Sequence, residues 1–130
     1  MAEKFDIYKC EICGNVVEVL INGAGNLVCC GEDMKLQIAN TGEEIKGEYH
    51  IPVAKETDNG KIEIQVGEKP HPMTEAHQIQ FIEVISDDKK TLVHKFLDFT
   101  DEPKVEIEKF SDKYTIRENC NLHNLWQSEK

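Results

Sequence analysis

Alternation with a period of two marks the second half of the chain. Ile62, Ile64 and Val66 are apolar with polar residues between them, the pattern of a strand with one buried face and one wet face. Residues 78–85 (QIQFIEVI), 91–99, 105–107 and 114–116 are rich in β-branched and aromatic residues and predict further strands. Turn signals separate them at Asp58-Asn59-Gly60, Ser86-Asp87-Asp88 and Asp101-Glu102-Pro103. Several short strands at this spacing predict an antiparallel β-sandwich from Glu48 onward. No stretch carries the period of a long helix, so the expected fold class is all-β.

The first 37 residues follow a different pattern. They hold four of the five cysteines and four of the eight glycines, with short strand-like pieces such as Val16 to Ile21. A segment this small has too little core to fold unaided, and a bound metal would supply much of its stability. Residues 38–47 (IANTGEEIKG) read as a polar linker. The expected division is a small metal-stabilised unit at 1–37, a linker at 38–47 and a β-sandwich at 48–130.

Composition narrows the function. The formal net charge of −10 argues against nucleic acid, which requires a basic surface. It also means that any anionic substrate must be drawn in by a locally positive site. No apolar run approaches the roughly 18 residues of a membrane helix. The opening MAEKFDIYKC lacks the apolar region of a secretory signal, so a cytoplasmic location is expected. Thiols stay reduced there, which favours metal ligation over disulfides for the cysteines.

The cysteines divide four plus one. Cys10-Glu11-Ile12-Cys13-Gly14 is a CxxC-Gly knuckle, and Cys29-Cys30-Gly31 supplies a second pair. Neighbouring side chains in an extended segment point to opposite faces, so Cys29 and Cys30 reach one ion only if the backbone turns sharply between them. Four thiolates suit iron or zinc, and spacing alone leaves a structural zinc knuckle as an equal alternative. The fifth cysteine, Cys120, has His123 three positions later, while His50, His71 and His77 lie in the middle of the chain. Pro72 holds His71 extended, and Pro52 follows His50 closely. Several neutral imidazoles with one thiolate suit iron, because the thiolate donates electron density to the metal. Ferrous iron with one thiolate carries a net charge of about +1, which attracts a small anion even on an acidic protein.

CxxCG, Cys-Cys-Gly, Glu48-Tyr49-His50-Ile51-Pro52-Val53, His71-Pro72-Met73, His77 and Cys120-Asn121-Leu122-His123 occur in one order along essentially the whole chain. Together they resemble desulfoferrodoxin, the two-iron superoxide reductase family. The resemblance implies a desulforedoxin-like N-terminal domain with an iron centre held by the four thiolates of Cys10, Cys13, Cys29 and Cys30. It implies an immunoglobulin-like sandwich whose catalytic iron is held by His50, His71, His77 and His123, with Cys120 as the axial thiolate. The implied activity is one-electron reduction of superoxide to hydrogen peroxide, with Glu48 capping the resting ferric site. A rubredoxin-like protein would donate the electron, and the resemblance favours a homodimer. His94 matches no ligand position and reads as an ordinary strand residue, while Met34 and Trp126 read as packing.

Two positions depart from the family pattern. Tyr49 stands where the family usually has a lysine, and Ala76 where a second lysine commonly precedes the third histidine. Both changes remove positive charge near the implied open coordination site, and Lys46 and Lys69 are the nearby cations that could substitute. The Tyr49 hydroxyl can donate a hydrogen bond but carries no charge at neutral pH. The competing reading is a non-catalytic iron or zinc electron-transfer protein with an impaired second site.

Overall fold

A computed structural model describes residues 2–41 and 47–129, but not the side chain of Glu48. The Glu48 carboxylate and Lys46 therefore lie outside the described residues. The chain divides into two compact units, Met1–Ile38 and Ala39–Lys130.

The first unit contains β1 (Ile7–Lys9), β2 (Val16–Glu18), β3 (Val28–Cys29), β4 (Glu32–Asp33) and β5 (Lys35–Leu36). β1 is the middle strand of an antiparallel β2-β1-β5 sheet, and β3 pairs with β4. The run expected to continue to Ile21 leaves the ladder after Glu18, and Ile21 is 91% exposed. Phe5, Ile7 and Cys10 are this unit's buried hydrophobic residues among those described. A fully buried isoleucine contributes about 1.5–3 kcal/mol, so Ile7 alone cannot offset the ordering of nearly forty residues.

The second unit begins with a single helical turn, α1 (Gly47–His50), followed by seven strands. These are β6 (Pro52–Glu56), β7 (Lys61–Val66), β8 (Ile79–Ser86), β9 (Leu92–Phe96), β10 (Lys104–Glu108), β11 (Tyr114–Cys120) and β12 (Asn124–Glu129). They form two antiparallel sheets, β10-β7-β6 and β12-β11-β8-β9. Ile62, Ile64 and Val66 of one sheet pack with Ile82, Val84 and Ile116 of the other in a shared core, which makes the fold the expected sandwich.

In this unit, two further features differ from the sequence expectation. β12 (NLWQSE) has no clear alternation, yet it forms an edge of the four-stranded sheet. Asn40, in the stretch expected as a linker, forms a bridge with Trp126. Its N–H donates to the Leu125 carbonyl at 2.9 Å, and its own carbonyl accepts from Gln127 N–H at 3.0 Å.

Central strand β8 is buried on both faces and includes a charged residue, Glu83, that is fully buried. Register explains how that charge is tolerated, because Glu83 lies directly opposite Arg117 on β11 and His94 on β9. The Arg117 guanidinium donates to Oε1, and His94 Nδ1 lies 3.0 Å from Oε2. A buried carboxylate needs such partners. His94 therefore acts within the sheet, well away from the histidine cluster.

Register also places the loops. Cys120 pairs with Ile79 and Pro52 with Val66, while Ser86 pairs with Tyr114 at the opposite end. Residues 47–51, 67–78 and 121–123 consequently meet at one end of the sandwich.

Candidate metal centres

In the first unit, Gly14 N–H donates to the Cys10 carbonyl at 2.9 Å and Cys10 N–H to the Asn15 carbonyl at 2.8 Å, closing the CxxC knuckle. Gly14 has a φ of 85°, a left-handed conformation that favours glycine. The sharp turn expected between the second pair is present, since Cys30 and Gly31 have φ of 54° and 77°. Ligand atoms of Cys10, Cys13, Cys29 and Cys30 all lie within 4.8 Å of one another. The Cys13–Cys29 sulfur separation is 3.6 Å and Cys29–Cys30 is 3.9 Å. A disulfide would need about 2.05 Å. Metal–sulfur bonds of about 2.3 Å place tetrahedral sulfurs about 3.8 Å apart.

Protonation in this cluster is divided. The backbone N–H of Cys13 is the main cause lowering the Cys10 thiol to about 6. Hydrogen bonding with Cys13 is the main cause raising Cys30 to about 12. Thiols this close ionise together only with a cation among them.

At the loop end of the second unit, four imidazoles form a ring. Centroid separations are 4.6 Å for His50–His71, 4.6 Å for His71–His77, 5.1 Å for His77–His123 and 4.8 Å for His50–His123. The diagonal His50–His77 separation is 6.5 Å, longer than any side. Ligand atoms of these four histidines and Cys120 all lie within 4.8 Å of one another. The sequence reading named all five.

Local structure explains the convergence. β8 carries an extra residue, Gln80, opposite the Asn119–Cys120 step, a bulge of the kind that re-aims a side chain. Cys120 and Asn124 then close a three-residue loop, with Asn124 at φ 66°, a conformation asparagine tolerates. That turn brings His123 Nδ1 within 3.8 Å of the Cys120 sulfur. Asn121 ties it to the His77 loop by accepting from Gln78 N–H at 2.9 Å and donating to the Ala76 carbonyl at 3.0 Å. Trp126 stacks on His50 at 4.8 Å and 14°, and its indole N–H donates to the His123 carbonyl at 3.0 Å. The tryptophan does pack, as expected, and it also orients two of the histidines.

The donor set fits a metal. His71 Nδ1 lies 2.6 Å from the Pro72 carbonyl, so that nitrogen carries the proton and Nε2 is the free donor atom. The Nε2 atoms of His71 and His77 are buried without a hydrogen-bond partner, a costly state that a metal ion would relieve. Burial, together with His77 and His123, holds the His71 pKa down at about 4, so the ring is neutral as a ligand must be. Burial is the main cause raising the Cys120 thiol, opposed by the backbone N–H groups of Leu122 and His123. A coordinating cation is the natural counterweight for that thiolate.

Sequence reasoning missed Glu118. It is fully buried, two residues before Cys120 on β11, and its Oε1 lies 3.8 Å from His50 Nδ1. Desolvation pushes its carboxyl well above the usual range. Its position, beside the ring nitrogen of His50 that faces away from His123, suits an outer-shell group orienting a metal ligand. The residue type carried no signal, because a glutamate within a strand normally faces water.

A family model for the desulfoferrodoxin N-terminal domain matches residues 2–37, and one for desulfoferrodoxin matches residues 42–129. The chain is 48% identical over 129 residues to desulfoferrodoxin of Syntrophotalea carbinolica, covering 99% of each. The chain belongs to the desulfoferrodoxin family. It is also 35% identical over 100 residues to a superoxide reductase of Pyrococcus abyssi, spanning 65% of this chain and 87% of that one. In fold it is similar to the crystal structure of superoxide reductase from Treponema pallidum, with a TM-score of 0.73 at 22% identity, covering 98% of this chain and 99% of that one.

Of the two other residues expected at the site, Glu48 has a described backbone in α1 but no described carboxylate. Tyr49 is 38% exposed beside buried His50. Ala76 supplies only its carbonyl, to Asn121.

Proposed function

We propose that this desulfoferrodoxin is a superoxide reductase, adding one electron and two protons to superoxide to give hydrogen peroxide. The convergence of four imidazoles and one buried thiol at the loop end of the sandwich carries this reading. His50, His71, His77, His123 and Cys120 would hold the catalytic iron, and Cys10, Cys13, Cys29 and Cys30 a second iron. Iron held by the five-residue set would supply the electron and a cationic centre that attracts the anion. The protein's part is to fix that geometry. Asn121 holds the His77 and Cys120 loops together, Trp126 stacks on His50 while the Glu118 carboxyl stands 3.8 Å from its Nδ1, and the Pro72 carbonyl fixes the tautomer of His71. The half-exposed Tyr49 hydroxyl can donate a hydrogen bond or relay a proton, and Glu48 would cap the resting site.

The proposed domain assignment is a four-cysteine iron domain at 1–37, a linker at 38–47 and the reductase domain at 48–130. A rubredoxin-like donor would return the electron. A homodimer would cover the hollow of about 530 Å³ that Val17, Leu20, Ile21, Leu27 and Val28 line in the first unit; light scattering on native protein and Ile21→Glu tests this. Five free cysteines favour the cytoplasm, and among the described residues no helix is long and apolar enough to cross a membrane. The decisive experiment mixes reduced protein with superoxide and measures peroxide per iron oxidised. One peroxide per iron supports the assignment, and none refutes it.

A further inference from the structure

An anionic substrate approaching a chain of net charge −10 needs a local cation, and Tyr49 and Ala76 supply none. Lys46 lies outside the described residues, and several of the described cations of the second unit are sited elsewhere. Lys61, Lys104 and Lys109 stand on or beside the β10-β7-β6 sheet near Glu106, Glu102 and Glu56, and Arg117 is held by the buried Glu83 within the other sheet. Lys89, Lys90 and Lys113 lie around the Ser86–Tyr114 end of the sheet, opposite the histidine cluster.

Lys69 differs in position. Its ammonium lies 6.0 Å from the centroid of the Tyr49 ring, within cation–π range. The backbone builds this pairing. Gly67 has φ +84°, and a Cβ there would lie 2.5 Å from the Lys69 carbonyl and 2.6 Å from that of Tyr49. Only glycine lets the two segments approach so closely. Gly67 N–H also donates to the Ile51 carbonyl at 3.0 Å. The Gln65 amide donates to the Gly67 carbonyl at 3.0 Å, fixing the turn from below.

The pair also borders the site. Tyr49 directly precedes His50, and Lys69 stands two residues before His71. Two trans peptide steps span at most about 7.6 Å between the Cα atoms of Lys69 and His71, so one short loop carries both the cation and a ligand. His50 and His71 are adjacent in the ring, so the cation is anchored along a single edge of the cluster.

We propose that Lys69, held against the Tyr49 ring at the His50–His71 edge, is the cation that captures the anionic substrate in this protein. The aromatic ring takes the place of a lysine at position 49 by positioning a charge supplied from the neighbouring loop. Arginine, which stacks as well on an aromatic face, can replace Lys69 in this role, whereas glutamine cannot. This inference rests on the superoxide reductase reading and deepens it.

The test follows superoxide consumption by pulse radiolysis at several ionic strengths, using reduced native protein, Lys69→Gln, Lys69→Arg and Lys69→Glu. Azide binding to the oxidised proteins is titrated in parallel by absorbance. Lys69→Gln should slow the bimolecular step about threefold to tenfold at low salt. It should also shift the ionic-strength slope in the positive direction and weaken azide several-fold. Lys69→Glu should do all three more strongly, and Lys69→Arg should retain native behaviour. Unchanged rate, slope and azide affinity in Lys69→Gln would overturn the proposal. So would equal losses in the arginine and glutamine variants, which would make Lys69 a packing residue. A slower rate with native slope and azide affinity also counts against capture. If native protein fails to reduce superoxide, the functional reading falls, and azide affinity alone judges Lys69 as an anion site.

Discussion

The two clusters sit in surroundings that differ in one respect above all: what holds the ligands in place before a metal arrives. In the second unit, Ile62, Ile64, Val66, Ile79, Ile82, Val84 and Ile116 are at most 1% exposed, and β-ladders fix the ends from which the site loops project. Among the described residues of the first unit, Ile7 alone matches that burial, while Ile12, Leu20, Ile21, Val28 and Ile38 are all more than half exposed. The four-thiol cluster therefore acts as much of its unit's core. The five-ligand cluster is instead mounted on a core that already exists, so the same operation should have opposite structural consequences at the two centres.

Metal removal provides the strongest contrast. Apoprotein should lose the amide protection of β1, β2 and β5 almost completely while the sandwich strands stay protected, as hydrogen exchange would read. Protection retained in both units would break the contrast. Ligand substitution sharpens it chemically. Cys120→Ser should lower superoxide reduction at least 100-fold, a roughly 3 kcal/mol effect, and abolish the thiolate charge-transfer band. Cys13→Ser should disrupt the first centre and leave that band and the reaction with superoxide in place. Equal loss of activity in both variants would couple the two centres.

A smaller effect concerns pH. His71 is held at about 4 in the folded protein, against about 6.5 in an unfolded chain. The unfolded state then binds the extra proton between those values, so stability rises with pH across that window. This contribution is complete above about 6.5. It should decline on the order of 2–3 kcal/mol as metal-free protein is taken toward pH 4. Denaturant melts of apoprotein and His71→Asn measure it, and the variant should show a flatter dependence. The smallest expected change is from Asn121→Ala. Loss of its side-chain bonds to Gln78 and Ala76 should cost about 1–3 kcal/mol and speed iron release from the second centre, while the first centre keeps its metal.

The two units were also unequally legible. Strands β7, β8, β10 and the first part of β11 follow from alternation and β-branched composition, because one or both faces must be buried. β12 escaped because Asn124-Leu125-Trp126-Gln127-Ser128-Glu129 shows no clear period, and only pairing with β11 along its length makes it a strand. The early end of β2 was hidden for the opposite reason. Val19, Leu20 and Ile21 look like strand, but among the described residues nothing buries Leu20 and Ile21, which are 65% and 91% exposed.

The metal-ligating residue types were legible because coordination chemistry restricts them to cysteine and histidine, and their order carried the family resemblance. Sequence alone also determined the four-plus-one cysteine division, the need for a turn at Cys29-Cys30, and the missing charge at Tyr49 and Ala76. Tertiary structure decided what depends on distance between remote segments. It placed Glu118 behind His50, Asn121 between two ligand loops, Trp126 against His50, and Lys69 over Tyr49 through the close approach at Gly67. Residue type limits which chemistry a side chain can perform, but fields and hydrogen bonds act over a few ångströms. Only the folded chain sets which groups lie that close.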